Sequence, residues 1–271
     1  MRRILYILAS FSLLTGETRL WDLHSAYPMP KGRWEIGIFQ PMRYGLNEGL
    51  EYSTHPLLFF VMPNISLKIS QKDIKDYKTA TRLKVFYPTP LLNMVARKGI
   101  GGLIDPNIVI PPLLGVSGSF LASKTIFGFS TTFNAGIDLG VNMGKLDKRS
   151  SIDLPLVYHR LGVFYNQWGL HAGVDLQIEL VKNIKLHTDL DMRLLPGISQ
   201  SNESQFYTIF SGENVLEHKL LFIWQRSNNF RFLTGYKFVT GQYPYGRDTR
   251  LLPYIPMLES WVPIIELQWA K

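Results

Sequence analysis

The chain contains no cysteine. Disulfides, thiolate metal sites and thiol nucleophiles are therefore excluded, and so is a lipoprotein anchor, which needs an acylated cysteine. Long hydrophobic runs are also missing. Beyond the first 14 residues the densest apolar stretch is Leu57–Met62, and Pro56 and Pro63 bracket it. A membrane-spanning helix needs about 20 continuous apolar residues, so helical spans are excluded from the body of the chain. The chain has no G-x-S-x-G elbow and no H-E-x-x-H pair, and Gly99-Ile100-Gly101-Gly102 lacks the Lys-Ser/Thr that completes a phosphate loop. The formal net charge is +8, but Lys68, Arg82, Lys84, Lys185, Arg231 and Lys237 are scattered through alternating segments. Nucleic-acid binding wants basic residues gathered into one patch, so it is not expected.

What the chain does have is aromatic content and alternation. Of 271 residues, 46% are apolar and 13% aromatic, with 6 Trp, 13 Tyr and 16 Phe. The mean hydropathy is only +0.01. A soluble protein fits that value, and so does a membrane β-barrel, in which only every second strand residue faces lipid. From Leu170 to Leu180, every second residue is apolar, opposed by His171, Asp175, Gln177 and Glu179. From Ile184 to Leu194, a largely apolar face opposes Lys185, His187, Asp189, Asp191 and Arg193. Period two is the strand signal, and Val181-Lys182-Asn183 is short enough for a hairpin. Phe133–Met143 repeats the pattern, and Phe230–Phe238 pairs back through Ser227-Asn228-Asn229 to Leu220–Trp224. Weaker candidates are 33–41, 47–54, 64–71, 79–87, 116–127, 154–166, 205–211 and 260–269. The total is about 12 strands, with 10 or 14 as alternatives, at roughly 20 residues per strand. Several runs reach 10–14 residues, against about 5–6 for a soluble strand and 9–11 for a tilted membrane strand. The fold expected is all-β: an antiparallel up-and-down transmembrane β-barrel.

Met1-Arg2-Arg3 followed by the apolar run Ile4–Leu14 has the layout of a secretory signal peptide. We place the signal at 1–16 and a single barrel domain at 17–271, with a long irregular insertion at about 88–112 that contains a short helical stretch, 91–98. The insertion reads either as a constriction folded into the lumen or as an extracellular loop. A second irregular stretch, 241–256, carries Tyr243, Tyr245, Arg247 and Arg250, which suit an exposed loop or contacts to lipopolysaccharide phosphates. Residues 28–34 read as a turn or lead-in to the first strand.

Alternation alone does not decide which face meets lipid. Glycines sit in the polar faces (Gly136, Gly140, Gly173, Gly235), together with charges of both signs. That suits a narrow polar lumen, with His171, Asp175, Glu179, Lys185, His187, Asp189 and Arg193 as its candidate network. Aromatics fall near the ends of apolar faces: Trp34, Trp168, Trp224, Tyr236, Trp261 and Trp269 are candidate membrane-interface residues. The last strand, Val262–Trp269, lies two residues from the C-terminus.

The sequence resembles the outer-membrane β-barrel proteins of diderm bacteria: a signal peptide, serial hairpins and a closing strand ending in an aromatic. In that family the closing strand resembles a recognition signal for the barrel-assembly machinery, and Ile265, Leu267 and Trp269 match its alternate apolar positions. The match departs where Ala270-Lys271 follow Trp269 and where Pro263 enters the strand. The resemblance implies a bacterial outer-membrane location, with lipid and lipopolysaccharide as surroundings, the barrel-assembly machinery as a partner in biogenesis, and no cofactor. Four functions stay open. The barrel is a passive pore or transporter for small solutes, a structural barrel with a filled lumen, a lipid-modifying enzyme using His159 or His218 with Ser151 or Ser211, or a secreted soluble β protein. His171 and His187, with Asp175 and Asp189 nearby, admit a metal or acid–base site, but a lumenal hydrogen-bonded network is the expected role.

Overall fold

A computed structural model describes residues 19–96, 107–147, 163–195, 213–243, 246–255 and 260–271. The signal segment 1–16, the helical stretch beyond Ala96, the predicted strand 205–211 and most of 154–166 lie outside the described residues. The strands are β1 (Trp34–Gly37), β2 (Met42–Asn47), β3 (Leu50–Thr54), β4 (Asn64–Ile74), β5 (Tyr77–Phe86), β6 (Leu113–Ile126), β7 (Phe129–Asn142), β8 (Trp168–Val181), β9 (Ile184–Leu195), β10 (Glu213–Ser227), β11 (Phe230–Tyr243), β12 (Gly246–Leu252), β13 (Tyr254–Ile255), β14 (Ser260–Trp261) and β15 (Ile264–Ala270). Three short helices, α1 (Pro56–Phe59), α2 (Thr89–Val95) and α3 (Val163–Asn166), lie in the connections. The described part of the predicted strand 154–166 is thus α3. Val163 and Phe164 of this helical turn are both buried.

Every neighbouring pair is antiparallel. β1 through β11 pair in order, and β15 bridges β1 to β11, closing a barrel of 12 strands. Hairpin register makes the tight ends. Two-residue turns join β4 to β5, β6 to β7, β8 to β9 and β10 to β11. At the β6–β7 turn Phe127 and Gly128 both take positive φ, 50° and 83°, the mirror-image turn that matches strand twist. All of these turns lie at one end, where the two ends of the wall also meet: the Trp34 amide donates to the Lys271 carbonyl at 2.9 Å and the Lys271 amide returns to Trp34 at 3.1 Å. The longer connections gather at the opposite end. Short turns at the periplasmic end and long loops at the extracellular end are the plan of outer-membrane barrels.

The last wall strand is split. β12 covers the loop-end half of β11, with Lys237 opposite Leu252; β15 covers the turn-end half, with Gly235 opposite Ile264. Both run the same way. Between them the chain leaves the wall, and Tyr254 and Ile255 pair with Trp261 and Ser260 as the small β13–β14 pair. The segment 241–256 expected to be irregular is therefore mostly wall, since β11 continues to Tyr243 and β12 follows from Gly246. Prolines mark the exit and the return, Pro253 and Pro263, because proline cannot donate to a ladder.

The apolar faces point outward. On β7, Phe133, Ile137, Leu139 and Val141 are 42–48% exposed, while Asn134, Gly136, Asp138 and Gly140 between them are half-buried or buried. On β8 and β9, Leu170, Leu190 and Met192 are exposed and Asp175, His187, Asp189 and Arg193 are buried. A soluble barrel would invert this order. The chain is a transmembrane β-barrel of the outer-membrane type, with lipid outside and polar groups within.

Candidate functional site

Among the described residues the inward-pointing charges meet in the lumen, so the site is built there. Its turn-end half holds a segment of the chain itself. Residues 19–30 do not join the wall; they run inside it, and Ser25, Ala26, Tyr27 and Met29 are buried. Such a strand-free segment must have its backbone satisfied by side chains, and the wall supplies them. The Lys68 ammonium donates to the carbonyls of Asp22, Ser25 and Tyr27 at 3.0–3.3 Å. Arg82 donates to the Leu23 carbonyl and Arg231 to that of Trp21. In return, the amides of Trp21, Ala26 and Met29 donate to Glu35, Ser123 and Glu51. Arg43, wholly buried, ties the floor together through Glu35 at 2.9 Å and Glu51 at 2.8 Å. Gly45 is the close-approach position: a Cβ there would lie 2.1 Å from the Pro30 carbonyl oxygen. Residues 28–34 do make a turn into β1, but the stretch before them is a lumenal plug, which no sequence periodicity announces.

Above the plug the charges pair across strands. Arg193 reaches Asp138 at 3.0 Å, and His171 bonds to the same carboxylate at 3.1 Å and to Ser119 at 2.9 Å. Lys219 holds Asp189, and Lys237 holds Glu217 at 2.7 Å. Asn134 donates to both Asp175 and Asp191. The polar-face glycines make room for these groups: a Cβ at Gly173 would fall 1.9 Å from an Asp191 oxygen, and one at Gly136 would fall 2.6 Å from the His171 ring. His171 and His187 are not brought together. Their strands pair with His171 opposite Arg193 and His187 opposite Gln177, six residues apart, or about 20 Å at 3.4 Å per residue. Instead His187 faces Asp175, Asp189 and, from the plug, His24. Glu179 and Lys185 lie opposite one another close to the β8–β9 turn, away from the central network.

The aromatic candidates divide by position. Trp34, Trp224 and Trp269 lie at the turn end of the wall, and Trp168 opens β8 at the loop end. Tyr236 is mid-strand on β11, with its ring 5.7 Å from that of His218. Trp261 belongs to the β13–β14 excursion and donates to the Leu252 carbonyl at 3.1 Å.

At the loop end, the β5–β9 side of the mouth is capped by a dry cluster. Leu91, Leu92 and Ala96 of the 88–112 insertion pack with Ile108, Ile110, Val163 and Phe164 over the inward-facing ends Phe86, Leu113 and Leu195. The opposite side is low: β1, β2 and β3 have 4, 6 and 5 residues against 14 in β6, β7 and β8. A cavity of about 350 Å³ remains between plug and wall. Its lining includes Thr54, His55 and Asn64 at the loop end and Ser130, Gln177 and Ile223 near the turn end. Seven Lys or Arg and seven Asp or Glu line it among the described residues.

Of the groups proposed for lipid chemistry, His218 faces outward on β10 and shares a 3.0 Å hydrogen bond with Thr188. His159, Ser151 and Ser211 lie outside the described residues.

No protein-family model matches the chain, and no curated protein matches it. Among solved structures it is similar to Acinetobacter baumannii OccAB4, at 10% identity and a TM-score of 0.40, covering 85% of this chain and 52% of that one. It is similar to Pseudomonas aeruginosa OpdK, solved with vanillate, at 11% identity and a TM-score of 0.39, covering 94% and 59%. For Pseudomonas aeruginosa OprD the identity is 10% and the TM-score 0.37, covering 91% and 62%. The chain thus spans between about half and three-fifths of the length of these proteins.

Proposed function

We propose that this barrel is a passive conduit for small polar solutes across a bacterial outer membrane, narrowed by its own N-terminal segment. The observation that carries this reading is a cavity lined by charged and polar residues at both depths of the wall, from Thr54 and Asn64 to Ser130 and Gln177. The plug leans on β1–β6 and β11, through Glu35, Arg43, Lys68, Arg82, Ser123 and Arg231; it reaches β7–β9 through Arg19 and His24, and the cavity lining on that side runs on to Gln177, Asp189 and Lys219. A barrel of this size lies between the small ones, which side chains fill, and the open porins. Equal numbers of lining cations and anions favour weak charge selectivity. Lipid and lipopolysaccharide are its proposed surroundings, and the barrel-assembly machinery its proposed partner in biogenesis.

Planar-bilayer recording of the refolded chain tests this. Small, steady current steps are expected, with cation and anion permeabilities within a few-fold of each other in a salt gradient. One observation favours a second reading, a closed structural barrel: the plug is pinned by hydrogen bonds at Trp21, Leu23, Ala26 and Met29. Silent insertions of folded protein would overturn the conduit and establish the structural barrel.

A further inference from the structure

Three potential ligand atoms converge where the plug touches the wall. His24 Nδ1 lies 3.5 Å from Asp175 Oδ1, and His187 Nε2 lies 3.7 Å from the same oxygen. All three atoms fall within 4.8 Å of one another. These two separations are too long for ordinary hydrogen bonds, which close at about 2.7–3.2 Å. They are close to the spacing of neighbouring ligands around one tetrahedral ion, roughly 3.3–3.5 Å when each bond is 2.0–2.1 Å. His187 is 6% exposed, and its Nε2 makes no hydrogen bond. A buried ring nitrogen left this way points to an absent partner. Lys219 brings a positive charge to the site, but Asp189 holds it, and Asp175 and Asp191 remain as further carboxylates. The second Asp175 oxygen lies 3.4 Å from the Asn134 amide nitrogen, which leaves the first facing the two rings.

We propose that His24, Asp175 and His187 form a site for one divalent first-row transition ion, of which zinc is the natural occupant of a His₂Asp set. His24 belongs to the plug, Asp175 to β8 and His187 to β9. The ion therefore ties the lumenal segment to β8 and β9, where the plug's contact is through His24, and narrows the conduit there. The third edge closes by rotation of the His24 ring, which sits on the segment outside the wall ladders. A fourth position faces the cavity and stays open to water.

Titration calorimetry tests the site, with zinc chloride added to the untagged chain refolded in detergent and stripped with chelator. One zinc per chain with a micromolar or tighter Kd is expected, and magnesium at the same concentration should give no heat. His24→Ala and His187→Ala should each weaken binding at least tenfold, whereas His218→Ala, on the lipid face, should bind as the parent does. Because His24 lies outside every wall strand, His24→Ala should retain heat-modifiable migration on gels. Absence of saturable zinc binding overturns the site, as does binding that His24→Ala leaves unchanged. Zinc should also slow tryptic cleavage within the plug by several-fold; binding with unchanged cleavage overturns the tether.

Discussion

At the residue scale, the interior of this barrel is a set of paired charges, and their value depends on how completely water is removed. Arg43 is fully buried between Glu35 and Glu51, and Lys68 adds a contact to Glu51 at 3.1 Å. Removing one member of such a network leaves its partners buried and uncompensated, which typically costs about 3–5 kcal/mol. Arg43→Met should therefore lower the unfolding free energy in lipid vesicles by that order, read from the urea midpoint. The comparison is Lys78→Ala: Lys78 and Asp73 pair at 2.6 Å but are 32% and 44% exposed, and an exposed pair contributes about 0–1 kcal/mol. Equal losses in the two variants would show that the Arg43 network is as wet as the surface. The charged types were legible in the sequence, as was the need for Gly136 and Gly173 among them. The pairings were not, because each depends on a register that composition does not carry. His171 finds Asp138 and Ser119 rather than His187 for that reason.

At the scale of elements, alternation identified the long strands because each has one uniform neighbour on either side and keeps one face in lipid throughout. β8 and β9 are the clearest example. Alternation is lost where an element's partners are not periodic. The plug takes its hydrogen bonds from Lys68, Arg82, Arg231 and Glu51, which lie far apart in the sequence, so 19–30 carries no local signature. β12 was hidden because prolines, Tyr243 and Tyr245 gave its surroundings the composition of a loop, and β1–β3 were blurred because each is too short for period two to show. The plug's attachment gives a test at this scale. Gly45→Val sets a side chain into the space held by Pro30 and Met29, while the backbone bonds of that position, its amide to the Arg33 carbonyl and its carbonyl from the Gly32 amide, are ones valine can also make. The wall should still close and migrate as a heat-modifiable band, while trypsin releases the segment before Lys31 about tenfold faster than in the parent. Unchanged release with intact folding would show that the plug is not seated against Gly45.

At the scale of the whole molecule, closure rests on a strand that the chain leaves and re-enters. β15 alone bridges β1 to the turn-end half of β11, through three register pairs on one side and six on the other. In lipid each orphaned backbone group costs several kcal/mol, so losing β15 exceeds any stability a small barrel has to spare. Deleting residues 264–271 should abolish the heat-modifiable form, and Trp269→Ala, which removes a side chain and no ladder bond, should keep it. The excursion between the two halves is a different matter. The Val262 amide already donates to the Pro253 carbonyl at 3.0 Å, so the ends of 254–261 meet without it. Excising 254–261 and joining the ends through two glycines should leave the folded band and its urea midpoint close to the parent's, since β12 and β15 keep every partner on β11. A barrel that fails to close after this excision would mean that the β13–β14 pair guides the return of the chain into the wall. A barrel that closes would establish β12 and β15 as one wall strand with a dispensable insertion at its middle.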